Sequence, residues 1–147
     1  MELIYFTSEY AIKIHDKIIT ISGGIEGVKI YGNIDSPLTH IQNDDYYPTL
    51  EEKLTHLLFS FNKLHAFNDG NKRTSIAMGA FLLEVNGLGV FIDKFIIEME
   101  NIAVAVADNL ISKDLLHEII NSLLSENDYS EELKLKIIRA LGSDLSM

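Results

Sequence analysis

The chain has 147 residues, 47% of them hydrophobic, enough for one sizeable core and too few for two ordinary domains. Its 22 acidic and 12 basic residues give a formal net charge of −10, which disfavours the phosphate-backbone affinity of nucleic-acid binders, so no nucleic acid is expected as a partner. The absence of cysteine excludes disulfides, thiolate metal sites and a cysteine nucleophile. The N-terminus lacks a basic n-region and no apolar run approaches the roughly 20 residues of a membrane span, so a soluble cytoplasmic protein without a membrane partner is expected.

Thr7 or Ser8 can cap a first helix, with Ala11, Ile14, Ile18 and Ile21 spaced for one buried face and Gly23-Gly24 as its end. His15-Asp16 within it suggests a hydrogen-bonded pair tying the helix to a neighbour. The same dipeptide is compatible with a metal phosphohydrolase of the HD type, but His40, His56 and His117 offer no second pair at ligand spacing. From Ile25 to Pro48 the pattern loosens. Val28 to Tyr31, Gly32-Asn33 and Ile34 allow a short hairpin, and Ser36-Pro37 signals a brief helix to about Ile41, stopped by Asn43-Asp44-Asp45.

Thr49-x-x-Glu52 is a capping box, after which Leu50, Leu54, Leu57, Leu58, Phe61 and Leu64 form an apolar stripe leading into His65. An outgoing helix carries Ile76, Ala77, Ala80, Phe81 and Leu83, with small residues that permit close packing as the central helix, and stops at Asn86-Gly87. Val90-Phe91-Ile92 reads as an extended link. Asp93 then caps a helix with Phe95, Met99, Ile102, Val106 and Leu110 on one face, Ser112 caps another through Leu124, and a last amphipathic helix covers about 130–141. The expected class is all-α.

Between the two central helices lies His65-Ala66-Phe67-Asn68-Asp69-Gly70-Asn71-Lys72-Arg73, the one stretch that brings a base, a carboxylate, an amide, a lysine and an arginine together. A glycine turn opening a helix exposes unpaired backbone N–H groups at the positive end of the helix dipole, which is an anion site. Lys72 adds a mobile point charge and Arg73 a planar fork that matches phosphate oxygens. His65, at the last turn of the incoming helix, has the side chain suited to accept a proton near neutral pH. Asp69 is a hard oxygen ligand of the sort that holds Mg²⁺ together with substrate phosphates.

The pattern His-x-Phe-x-Asp-Gly-Asn-Lys-Arg resembles the signature of the Fic/Doc (Fido) family, and its Asn-Lys-Arg ending resembles the death-on-curing, or Doc, branch. The resemblance implies one Fido-type helical bundle over 1–147, with a short β-hairpin flap in the region after Ile25 and an extra C-terminal helix. The flap would lie over the site and pair its edge with an extended segment of the target. By the same resemblance Mg²⁺-ATP is the co-substrate and the acceptor is a Ser, Thr or Tyr hydroxyl of a target protein. His65 is then the catalytic base, Asp69 the metal ligand, and Gly70, Asn71, Lys72 and Arg73 the nucleotide-binding residues, with Phe67 packed inward to anchor the loop.

Two positions depart from the adenylylating pattern Gly-Asn-Gly-Arg-x-x-Arg: Lys72 stands at its second glycine and Ile76 at its second arginine. The lysine fills space beside a phosphate and the lost arginine removes an outer clamp. Doc-like members with this replacement transfer the γ-phosphate, so phosphorylation by the toxin of a toxin–antitoxin pair is the leading expectation. AMP transfer and a non-catalytic Fido regulatory module are the alternatives. Ser122-Leu-Leu-Ser-Glu126-Asn127 has the form of an inhibitory helix motif, but with Ile76 where the glutamate's arginine partner would be, it reads as a helix end.

Overall fold

Thr7 starts α1 (Ser8–Ser22) by accepting a hydrogen bond from the Tyr10 N–H at 3.2 Å, and Gly23 ends it. The computed structural model describes residues 2–126 and 128–142, and over them the chain is all-α. After α1 come α2 (Gly32–His40), α3 (Leu50–Lys63), α4 (Asn71–Val85), a 3₁₀ turn (Gly89–Phe91), α5 (Ile92–Ala107), α6 (Lys113–Ser125) and α7 (Glu131–Gly142). Side-chain caps again explain the starts: Thr49 accepts from Glu52 N–H at 3.1 Å, Ser112 from Leu115 N–H at 3.1 Å, and Ser130 from Leu133 N–H at 3.1 Å. The segment 90–92 is therefore helical, not extended. Asp93 lies in the first turn of α5 and does not cap it.

Helix α3 is the hub, packing on α2, α4, α5 and α6, a more central place than that of α4. Leu54, Leu57, Leu58 and Phe61 are fully buried along its inner face. Against it α4 brings Met78, Leu82 and Leu83, α5 brings Phe95 and Met99, and α6 brings Leu116, Ile119 and Ile120. Gly79 is what lets α4 and α5 close, since a Cβ there would stand 2.6 Å from Phe95 Cζ. Deleting such groups costs about 2–5 kcal/mol each, so this interior fixes how the helices around the site are placed.

Three expectations for the first third of the chain change. In α1 the buried face is Ala11, Ile14, His15 and Ile19, whereas Ile21 is 76% exposed and Ile18 only half-buried, because the helix is turned so that His15 faces the α3–α4 connection. No hairpin forms over 28–34: α2 already begins at Gly32, and Val28 makes an isolated antiparallel bridge with Phe67. The helix starts four residues before Ser36 because Ile34, Leu38 and Ile41 share one face and all are buried, and that burial outweighs Pro37's missing N–H inside the helix.

Polar groups are buried in α3 as well. Lys53, 1% exposed, donates to Ile41 O at 2.6 Å and to Asp44 Oδ1 at 2.7 Å, holding the turn after α2 against α3 with its charge paired. His56 receives the Lys113 ammonium on Nδ1 at 2.8 Å, faces His40 Nδ1 through Nε2 at 3.1 Å and stacks near the Tyr47 ring. Burial, then the charge of Lys113, lowers its pKa from 6.5 to about 4. The unfolded chain thus takes up this proton first. Stability should be complete above about pH 6.5 and fall as pH drops toward 4. Urea unfolding across this range should show that slope, and His56→Gln should flatten it; an unchanged slope in the variant would remove His56 as its source.

Candidate active site

Helix α3 ends at Lys63, and the chain turns away at once: Leu64 is 42% exposed instead of completing the stripe, and Asn33 Nδ2 takes its carbonyl at 2.8 Å. His65 follows with φ 49, a left-handed conformation uncommon outside glycine, so it lies two residues past the helix and not on its last turn. Its ring is exposed at the mouth of the cleft. Ala66 and Phe67 then dive into the core, both essentially fully buried.

The loop closes on itself through Asn71. That side chain accepts from Phe67 N–H at 3.1 Å and donates to Phe67 O at 3.0 Å, so its amide holds the loop's shape. Gly70 caps α4 with φ +76, the region a glycine adopts freely, and a Cβ there would stand 3.1 Å from Ile19 Cδ1. The first bond of α4 runs from Thr74 N–H to Gly70 O at 2.9 Å, which leaves the N–H groups of Asn71, Lys72 and Arg73 without an intrahelical acceptor. With Lys72 exposed beside them, this helix end is able to bind an anion.

Segment 23–30 lies along the loop and occupies its other polar groups. Lys29 and Ile30 donate to Ala66 O at 2.8 and 3.0 Å, Asn68 N–H donates to Gly27 O at 3.0 Å, and Asn68 Nδ2 donates to Glu26 O at 3.0 Å. Asp69 accepts Ile25 N–H on Oδ2 at 3.0 Å and Gly70 N–H on Oδ1 at 2.8 Å. Those two N–H groups, aided by Arg73, hold the Asp69 carboxyl below the usual carboxylate range, so it is ionised at neutral pH. Arg73 Nη1 in turn donates to Gly23 O at 3.0 Å. From beneath, His15 Nε2 meets Asp69 O at 2.7 Å, and its ring stacks on Phe67 with centroids 3.8 Å apart and planes 5° from parallel.

All six sequence-selected residues, His65, Asp69, Gly70, Asn71, Lys72 and Arg73, line one cleft of about 620 Å³. Its far wall comes from residues the sequence did not single out: Asn62 and Lys63 at the end of α3, and Ala107 and Asn109 after α5. Lys63 Nζ donates to Val106 O at 3.2 Å and to the Asn109 carboxamide oxygen, joining two elements far apart in sequence. Lys63 was visible as a cation two residues before the base, but nothing local marks Asn109. Glu126 caps the end of α6, accepts the Ser122 hydroxyl at 3.1 Å and lines a separate depression with Lys136, in keeping with a helix end; Asn127 lies outside the described residues. Among the described residues no helix is long and apolar enough to cross a membrane.

The site is thus a helix N-terminus with two cations and a carboxylate, faced by an exposed imidazole, in an all-helical frame. The Fic/DOC family model matches residues 5–83, more than half of the chain, and the protein belongs to that family. Toxin Doc of Mycolicibacterium smegmatis (strain ATCC 700084 / mc(2)155) is 37% identical over 75 residues, 48% of this chain and 58% of that toxin. The match therefore spans less than two-thirds of the toxin's own length.

Gly24 offers a direct test of how the loop is held. Its φ is +131, and a Cβ would stand 2.7 Å from Asp69 Oδ2 and 3.2 Å from Arg73 Nη2. Gly24→Ala should lift segment 23–25 off the loop, speed amide exchange at Ile25 and lower stability by about 1–3 kcal/mol. Wild-type exchange at Ile25 in this variant would show that the segment is not seated by that close approach.

Proposed function

We propose that this protein is a Doc-like transferase that moves a group from Mg²⁺-ATP to a hydroxyl of a target protein, with γ-phosphoryl transfer its leading form. Its setting in this reading is that of a toxin restrained by an antitoxin. The observation that carries the reading is the exposed His65 in the same cleft as Lys72, Arg73 and the three N–H groups of the α4 N-terminus that have no intrahelical acceptor. That pairing suits a reaction in which a neutral hydroxyl loses a proton while charge builds on phosphate oxygens. The name Toxin Doc carried by the relative supports the toxin setting.

In this scheme His65 takes the proton of the target hydroxyl, whose oxygen forms a bond to the γ-phosphorus. The bond from that phosphorus to the bridging oxygen breaks and ADP leaves with the electron pair. The N–H groups of 71–73 and the Lys72 and Arg73 side chains bind and orient the polyphosphate, and the Asn71 side chain acts by keeping the loop closed. Asp69 would hold Mg²⁺. Its carboxylate, ionised at neutral pH and lining the cleft, is a hard oxygen donor suited to a cation shared with nucleotide phosphates. The metal would neutralise phosphate charge. Transfer of AMP, with attack at the α-phosphorus and departure of pyrophosphate, uses the same residues. Lys72, exposed at the second position of α4, weighs against it by filling space beside the phosphates.

A second reading, a non-catalytic module, is favoured by one observation: the Arg73 guanidinium and the Asp69 carboxylate both already have partners in segment 23–25. Calorimetry with Mg²⁺-ATP separates the readings, since an active site should bind nucleotide in a manner lost in Arg73→Ala. Incubation with a lysate and ATP labelled at the γ or the α phosphate then distinguishes the two transfers; label from the α position alone would refute phosphorylation. His65→Ala should keep nucleotide binding and slow transfer roughly 10²–10⁴-fold, and its expression should relieve growth arrest caused by the wild type. Transfer at the wild-type rate in His65→Ala would refute its role as base.

A further inference from the structure

We infer that His15, buried and not among the residues that line the cleft, is a positioning residue for the anion and metal end of the site, acting through the Asp69–Gly70 peptide. His15 is fully buried in the middle of α1 and lies outside the motif. Among the described residues it is the one side chain from beyond α4 and the loop itself that hydrogen-bonds the loop 65–70; the other ties come from Asn71 or from backbone of segment 23–30. Its partner at 2.7 Å is a carbonyl oxygen, which can only accept, so the hydrogen is on Nε2. The contact of Nδ1 with Asp16 is 3.5 Å, at the limit of a hydrogen bond, and Asp16 is exposed.

The carbonyl that His15 holds belongs to the peptide whose other end is the Gly70 N–H, and that N–H donates to Asp69 Oδ1 at 2.8 Å. One rigid plane therefore links three things: the His15 bond, the orientation of the Asp69 carboxylate, and the entry into the first turn of α4. Rotation of that plane would carry the Gly70 N–H away from the carboxylate and shift the N–H groups that follow it. Parallel stacking of the His15 ring on Phe67 fixes the imidazole plane, and the bond of Nε2–H to the carbonyl sets which ring edge faces the loop. This is the logic of an outer residue that orients a ligand it never touches.

The inference rests on the Mg²⁺-ATP reading only for its functional consequence, and the test separates the two. His15→Gln and His15→Met have side chains of the same length, of which only Gln offers a donor near the Nε2 position, and His15→Phe keeps the ring without the donor. With the full chain, Mg²⁺-ATP affinity, the Mg²⁺ dependence of that affinity, and amide exchange at Gly70 are measured for each. Met and Phe should weaken Mg²⁺-ATP binding roughly 10–100-fold, raise the Mg²⁺ needed for half-saturation and speed exchange at Gly70, while Gln stays within a few-fold of wild type. Equal behaviour of Gln and Met, whether both intact or both impaired, would overturn the inference, because the donor would then not matter. Should His15→Phe fail to fold, the Gln and Met pair decides alone. If the wild type binds no Mg²⁺-ATP, the proposed function falls, and exchange at Gly70 alone decides the role of His15.

Discussion

The α3–α4 loop is held in a chain of backbone hydrogen bonds to segment 23–30, and the site depends on that seam. A seven-residue connection with a buried phenylalanine leaves carbonyls and N–H groups that cannot all be satisfied locally, and each one left bare would cost about 1–3 kcal/mol. Asn71 satisfies Phe67, His15 satisfies Asp69 O, Asn33 satisfies Leu64 O, and Gly27, Lys29 and Ile30 pair with Asn68 N–H and Ala66 O, while Gly23, Ile25 and Glu26 hold the side chains of Arg73, Asp69 and Asn68. This accounts for the missing hairpin. The strand-like residues around Val28 pair with the loop instead of with one another, and the residues after them join α2.

Charge has the opposite distribution to the chain as a whole. A molecule of formal charge −10 repels a nucleotide at long range, so binding has to come from short-range donors that do not depend on net charge. The α4 N-terminus supplies such donors as backbone N–H groups, fixed by the helix and needing no reorganisation. Lys63 neutralises the opposite wall, where the carbonyls ending α5 would otherwise present a negative dipole end to an anion. The cleft thus has positive groups on both sides within an acidic surface.

Sequence legibility followed how local each cause was. Thr7, Thr49 and Ser112 could be read as caps because the bond each accepts comes from a residue only three positions on, and the motif could be read because its chemistry is contiguous. The buried face of α1 is not legible in the pattern, because His15 counts as polar in any periodicity and the apolar spacing runs instead through Ile18 and the exposed Ile21. Lys53 and His56 look like solvent-facing positions between leucines; their burial depends on Asp44 and Lys113, partners supplied by other elements. Gly32 reads as a breaker, yet the loss of glycine entropy there is outweighed by burying Ile34, Leu38 and Ile41 together. Asn109 reaches the cleft only because α5 ends beside α3, a matter of tertiary packing.

The apolar stripe of α3 does not reach His65: its buried run ends at Phe61, and Leu64 turns outward before the base. What fixes His65 is its two neighbours. Leu64 O is taken by Asn33 of α2, and Ala66 O by Lys29 and Ile30. The same stretch of chain, 23–33, therefore holds the backbone on both sides of the base, the Asp69 carboxylate through Ile25, and the Arg73 guanidinium through Gly23. Base and anion site are consequently not two independent constructions on two helices. They share one support, so a displacement of that segment changes the distance from His65 to the α4 N-terminus and the pose of Asp69 together, and geometry for proton removal is gained or lost along with geometry for phosphate binding.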